Sequence, residues 1–318
     1  MQRRPDSVIS RPVSNTLAGF VAYWSVASAH APALGNLSWK SLHDAIVAAK
    51  TSASVVALPA DDLHMTVPQA LGALVSAAAL IAPAQKTQRA KPGEVILPQR
   101  RPGGGEVLMR FSEGGLVAMG RALADRYSIG PDDRIWLDGT LTDPSTWLIL
   151  AAAFYAGCPI SFEAQGATIA WHLRGGPPIT GDTLRLVHLR AGRDTLASLQ
   201  RSRPDLTVVN GLTLAEAGGL PLCSDPRDPA ATVAATVGRP LHGMEVMIVD
   251  PRTGMDMLLY ETGEVWLRGP GVMAGFANGI APFEPARFLR TGILGFLDSE
   301  GRLVLSRSEE EALLALPH

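Results

Sequence analysis

Short apolar runs and helix-length apolar patterns alternate along most of this chain, and that alternation constrains its fold more than any other feature. "SWKSLHDAIVAA" spaces its apolar residues along one helix face, "ASVVALP" has the length of a buried strand, and "PQALGALVSAAAL" is again helical, with proline in its first turn. After a basic, proline-containing linker, "APAQKTQRAKPGE", the pattern resumes. It predicts a strand over 94–97, a glycine turn, a helix over 112–127, a strand at "DRIWLDG", a helix over 145–156 and a strand at "CPISF". Strands joined through helices run parallel and need helices on their faces, so the class is α/β with layered, mostly parallel sheets. Residues 163–183 are irregular and rich in glycine and proline, after which "LRLVHL", "RDTLASLQRS" and "DLTVVNG" predict strand, helix and strand. From Thr236 the period changes to two. "GMEVMIVDPRTG", "GEVWLRGP" and "GILGFLDSEGRLVLSR" predict a small antiparallel, barrel-like sheet, with "DSEG" as a hairpin turn.

A chain of 318 residues with 47% hydrophobic residues buries a substantial core, and a net charge of −2 offers no electrostatic reason to bind nucleic acid or an anionic membrane. Cys158 and Cys223 stand apart with no histidine beside them, which favours small core residues over a disulfide or a zinc site. Arg3 and Arg4 before "TLAGFVAYWSVASAHA" imitate a signal peptide. Leu17, Phe20, Val21, Trp24 and Ala27 at helical spacing, with Asn15 or Thr16 as N-cap, instead predict an amphipathic surface helix. No apolar run has the length of a membrane span, and a cytoplasmic location is the expectation. The seven histidines, among them His43, His64, His172, His188 and His242, show no metal spacing, and no transition-metal site is expected. Asp61 and Asp62 follow a strand, where α/β sheets bind ligands, and also stand where a helix needs an N-cap. Neither GxSxG nor GxxxxGK[ST] occurs.

The most specific stretch is "TVGRPLHGMEVMIVDPRTG…ETGEVWLRGPGVMAGF…FLRTGILGFLDSEGRLVLSR". Its glycines at 238, 243, 263, 269, 275, 292, 295 and 301, with Pro240, Asp250, Arg290, Thr291 and Arg307, resemble the N-terminal domain of the adenylate-forming superfamily, the acyl-CoA synthetases and their relatives, in residue type and spacing. "VVNGLTLAEAGG" resembles the adenine and magnesium motif of that superfamily, "LRLVHLRAG" the strand before it, and "VILPQRRPGGGEVLMRFSEGG" its phosphate loop. The resemblance implies α/β layers followed by the antiparallel subdomain. It also implies chemistry in which a carboxylic acid attacks the α-phosphate of ATP to form an acyl-adenylate, with magnesium, before a thiol takes the acyl group. Such chemistry depends on holding and neutralising phosphates more than on acid–base groups.

Carried over position by position, the resemblance assigns nucleotide contacts to Gly103, Gly104, Gly105, Asn210, Gly211, Leu212, Thr213, Glu216 and Arg307, with Glu216 also linked to Mg, and no confident catalytic residue. The departures are as informative. The phosphate loop lacks its hydroxyls, and Glu106 or Val107 stands where a lysine is expected, with Arg100 and Arg101 either substituting for its charge or solvated. Leu212 replaces the aromatic residue that stacks on adenine, Thr213 a glycine, and Ala215 a threonine. Ile293 occupies the position of the carboxylate that accepts both ribose hydroxyls. Losing that acceptor and the lysine forfeits about 3–6 kcal/mol, roughly two to four decades of affinity, so ATP or AMP and Mg are expected to bind weakly.

The expected organisation is an N-terminal α/β subdomain over 1–90, a second over 91–228 with the degenerate phosphate loop, an antiparallel subdomain over 229–307, and a tail over 308–318. Against the resemblance, the C-terminal lid domain is expected to be absent, and the segment between "CPISF" and "LRLVHL" is short for the helices that wall an acyl pocket. Two functions remain. One is a degenerate acyl-CoA synthetase-like domain without full ligase activity, serving as a subunit that binds a carboxylic acid or acyl ligand or a protein partner. The alternative is an acid–thiol ligase completed by a C-terminal domain from another chain.

Overall fold

A computed structural model describes residues 11–57, 62–81, 91–100, 105–172, 182–189, 191–277 and 288–309. Its helices are α1 (Leu17–Ala27), α2 (Trp39–Ala48), α3 (Leu63–Val75), α4 (Glu113–Arg126), α5 (Pro144–Ala156), α6 (Arg193–Ser202) and α7 (Ala230–Ala235). A seven-stranded sheet runs in the order Thr207–Val209, Leu186–Leu189, Ile169–His172, Ile135–Leu137, Ile160–Ser161, Pro32–Leu34, Leu37–Ser38. All its pairings are parallel except that of the last two strands. A five-stranded sheet takes Gly275–Phe276, Glu106–Ser112, Glu94–Arg100, Ala79–Ile81 and Val55–Ala57 in that order. Both sheets draw strands from either side of residue 90. Three antiparallel strands, Gly211–Leu214, Gly219–Cys223 and Arg239–Pro240, form a third sheet. The fourth is the expected antiparallel sheet: Glu245–Val249, Gly263–Arg268, Leu289–Leu297 and Leu303–Leu305, closed by the turn at Asp298 to Gly301.

The layers lock through α5, whose side chains are buried almost all round, as befits a helix enclosed by protein on every side. Asp143 caps it by accepting from the Ser145 N–H at 2.8 Å, Pro144 opens it, and Gly157 ends it at φ +71°. A Cβ at Gly157 would lie 2.6 Å from Trp24, so the residue that stops α5 also lets α1 close on it. Trp24 donates its indole N–H to Phe154 O at 2.8 Å, and Trp39 meets Phe154 edge-on at 5.7 Å. α1 is therefore part of the main core: Thr16 caps it, and Leu17, Phe20, Val21 and Trp24 are buried, whereas Ala27 is exposed. A second, smaller core of Ala167, Ala170, Leu184, Val187, Leu196, Leu206 and Val208 fills the opposite face of the large sheet under α6.

Three local expectations need correction. The glycine turn at 103–105 leads into a strand rather than a helix: Glu94–Arg100 and Glu106–Ser112 pair antiparallel, with Gln99 opposite Val107 and Arg100 opposite Glu106, and the helix starts only at Glu113. α3 begins at Leu63, five residues ahead of Pro68, because Asp62 caps it by accepting from the Met65 N–H at 3.3 Å. Ala79 and Leu80, assigned above to that helix, belong instead to the strand Ala79–Ile81. Within the irregular stretch, Ile169–His172 is a central strand, with Ala170 facing the small core and Ile169 and Trp171 the large one. Burial on both faces erases the alternation that would have marked it.

Candidate functional site

The glycine hairpin and the glutamate motif meet. Gly105 is exposed with φ +88°, and Gly103, Gly104, Arg101 and Asp61 lie outside the described residues, as do the side chains of Arg100 and His172. Six residues before Gly105, Gln99 reaches across and donates its Nε2–H to Glu216 Oε1 at 2.7 Å. Glu216 sits on a single 3-10 turn, Ala215–Ala217, anchored where the Met273 N–H donates to Glu216 O at 2.8 Å. Its other carboxylate oxygen, Oε2, is shielded from solvent and has no hydrogen-bond partner among the described residues; Thr213 Oγ1 is in the same condition.

The remaining members of the glutamate motif serve the fold. Asn210 is buried, its Nδ2 donating to Val233 O at 2.8 Å and Thr236 O at 3.1 Å and its Oδ1 accepting from Ser224 Oγ. All its side-chain polar atoms are thus engaged in joining the end of α7 to the three-stranded sheet. Gly211 is required by packing, since a Cβ there would lie 2.4 Å from Leu222 O. Leu212 is 1% exposed and belongs to the main core.

At the ribose position, the strand Leu289–Leu297 bulges in a local turn from Arg290 to Ile293, built around a carboxylate that sequence reasoning missed. Glu264, on the neighbouring strand, accepts from Arg290 Nη2 at 2.8 Å and Nε at 3.2 Å, and from the Gly292 N–H at 3.0 Å. Burial pushes the Glu264 pKa up, but the bonds from Arg290, Trp266 and Gly292 outweigh it and hold the group below the usual carboxylate range. Glu264 is 4% exposed and is engaged in holding the turn. Ile293, 6% exposed, packs in the main core. The Ser306 N–H donates to Leu294 O at 2.9 Å, which brings the exposed Arg307 alongside this strand. The alternation along Gly263–Arg268 puts Val265 and Leu267 in the main core and so reads Glu264 as facing away from it; its burial against Arg290 follows only from the pairing of the two strands.

Magnesium is the ion that the fold family implies at Glu216. It keeps several waters and takes one or two accessible carboxylate oxygens together with substrate phosphates. Among the described residues no group of three His, Cys, Asp or Glu side chains is arranged to hold a metal. With Oε1 engaged by Gln99 and Oε2 sealed, the residues as folded do not fit a hydrated divalent cation. Among the described residues, no helix is long and apolar enough to cross a membrane.

Comparison with known proteins agrees with this geometry. Residues 142–277 match the family described as AMP-binding enzyme. The 4-coumarate–CoA ligase-like 9 of Arabidopsis thaliana is 34% identical over 118 residues, which cover 36% of this chain and 21% of that protein. The 4-coumarate–CoA ligase-like 4 of Oryza sativa subsp. japonica is 31% identical over 124 residues, 37% of this chain and 22% of that protein. These matches span about a fifth of each relative's length. The fold extends further. VinN superposes with a TM-score of 0.77 over 93% of this chain and 99% of its own, at 15% identity. The o-succinylbenzoate coenzyme A synthetase of Bacillus subtilis, solved in complex with AMP, gives a TM-score of 0.71 over 91% of this chain and 78% of its own, at 16% identity. Residues 142–277 are thus similar to the AMP-binding enzyme family, and the chain as a whole has the fold of the N-terminal domain of adenylate-forming enzymes.

Proposed function

We propose that this chain is an acyl-CoA ligase-like domain whose nucleotide grip has degenerated, and that it serves as a subunit binding an acyl or carboxylic acid ligand, or a protein partner, without full ligase activity. The observation that carries the reading is Ile293, an aliphatic side chain packed in the core where the family resemblance calls for a ribose-gripping carboxylate. An isoleucine accepts no hydrogen bond, and the adjacent Glu264 is already held by Arg290. Leu212 in the core and Glu106 on a hairpin strand, in place of an adenine-stacking ring and a phosphate-binding lysine, add to the same reading. Gly105, Glu216 and Arg307 are what remains of the nucleotide set, and ATP or AMP is expected to bind weakly there.

The test is pyrophosphate exchange into ATP with a panel of carboxylic acids, using the purified chain alone and with candidate partner proteins. No acid-dependent exchange is expected from the chain alone, and ATP and AMP are expected to bind more weakly than micromolar in calorimetry. Acid-dependent exchange by the isolated chain would overturn the reading. Exchange that appears only when a second chain is added would establish the alternative, a ligase completed in trans.

A further inference from the structure

We propose that Gln99 is the residue that keeps a divalent cation off Glu216, its carboxamide standing where the cation would approach the carboxylate. The inference rests on the reading of Glu216 as the counterpart of the family's magnesium-linked glutamate. It adds something the family pattern does not contain: a side chain of the chain itself in the cation's place.

Three observations support it. First, both partners are fixed by backbone bonds. Gln99 is in register opposite Val107 within a seven-residue hairpin strand, and the Glu216 turn is tied to Met273 and ends at Gly218 in the left-handed region. Second, the contact has one favourable chemistry. Facing a carboxylate oxygen at 2.7 Å, a carboxamide is stable only with its NH2 group turned inward, which supplies a donor to that oxygen without adding charge. Third, the second oxygen is closed off: Oε2 is shielded and has no partner among the described residues, so neither oxygen is open to a hydrated ion while the hairpin is seated. Cation binding and hairpin seating are therefore mutually exclusive at this carboxylate.

The experiment uses the full chain and Mn²⁺ as a paramagnetic probe, reading line broadening at the backbone amides of residues 215–217 by NMR. In the wild type, no broadening beyond that of Glu216→Gln is expected. In Gln99→Ala and in Gln99→Ser, which retains a polar side chain but not its reach, broadening at 215–217 is expected to appear and to vanish again when Glu216→Gln is added. Wild-type broadening that Glu216→Gln abolishes would overturn the proposal, because the ion would then reach the carboxylate with Gln99 in place. Gln99 variants indistinguishable from the wild type would overturn it equally. Neither result bears on the exchange assay, so this inference and the functional reading fail separately.

Discussion

Ile293 shows how much one position can carry. Its neighbours in sequence, Thr291 and Gly292, retain the family pattern and still shape the turn: Thr291 Oγ1 donates to Val265 O at 2.6 Å, and the Gly292 N–H binds Glu264. At the next position the resemblance calls for a carboxylate, and Ile293 packs in the main core instead. Restoring a carboxylate with Ile293→Asp is expected to destabilise the protein by about 2–4 kcal/mol at neutral pH, since the new charge is buried one residue from the backbone N–H that already binds Glu264. Burial raises the folded-state pKa of such an aspartate, so stability is retained below the unfolded pKa of about 3.9 and lost as pH rises through the folded value. The variant should therefore approach wild-type stability in acid, as measured by urea unfolding against pH. Equal destabilisation at every pH would mean that lost packing, not charge, sets the cost. At this scale the departures from the family resemblance at Leu212, Glu106 and Ile293 are readable from the sequence, because a difference in residue type at an aligned position needs no coordinates to be seen. The pairings Gln99 with Glu216 and Arg290 with Glu264 join residues 117 and 26 positions apart, and which donor meets which acid is decided by strand register.

The hairpin Glu94–Arg100 and Glu106–Ser112 is the element on which the candidate site depends, and it is where sequence reasoning went astray. "EVLMRFS" carries few turn signals and runs directly into helix-forming residues, so the helix was placed at its end without the intervening strand. What divides strand from helix is Ser112, whose Oγ accepts from the Gly115 N–H at 3.1 Å, followed by Glu113 in the first turn. Glu113 also accepts from the Leu17 N–H at 2.8 Å and so joins the starts of α1 and α4; burial raises its pKa, and the Leu17 bond only partly offsets this. Ser112→Ala is expected to cost about 1 kcal/mol of stability, with Ser112→Thr close to wild type, read as shifts in denaturant midpoint. No difference between the two variants would mean that α4 is held by its packing against α5 alone. The Gly120 contact with Ala151, where a Cβ would lie 2.3 Å away, shows how close that packing is.

At the scale of the whole molecule, the large sheet separates two cores, and a buried polar group is inserted on one side of it. His188 is fully buried, stacked on Trp171 at 4.1 Å, with Tyr127 Oη 3.1 Å from its Nδ1. Burial pushes its pKa down to about 3. As pH falls below about 6.5 the unfolded chain takes up a proton here that the folded chain refuses until pH is near 3, so this contribution is present above the unfolded pKa and lost through that window. His188→Phe keeps a ring against Trp171 and removes the titration. It is expected to flatten the acid limb of the stability–pH curve between pH 7 and 4 while costing about 1 kcal/mol at neutral pH, because Tyr127 loses His188 and keeps only Cys223 as a side-chain partner. An unchanged acid limb would place the acid sensitivity elsewhere, as in Asp133, held below the usual range against burial by the Arg185 ion pair at 2.6 Å. The sequence by itself determined the α/β class, the antiparallel sheet from residue 236 onward, most helices, the caps at Thr16 and Asp62, and the resemblance to adenylate-forming enzymes, because these rest on periodicity, local hydrogen bonding and glycine spacing within short stretches. Only the tertiary structure decided that Ile169–His172 is a strand, that Asn210 is a fastener within the fold, and that Gln99 lies against Glu216. Those outcomes depend on burial on two faces and on contacts between distant segments, which exist only once the layers have packed.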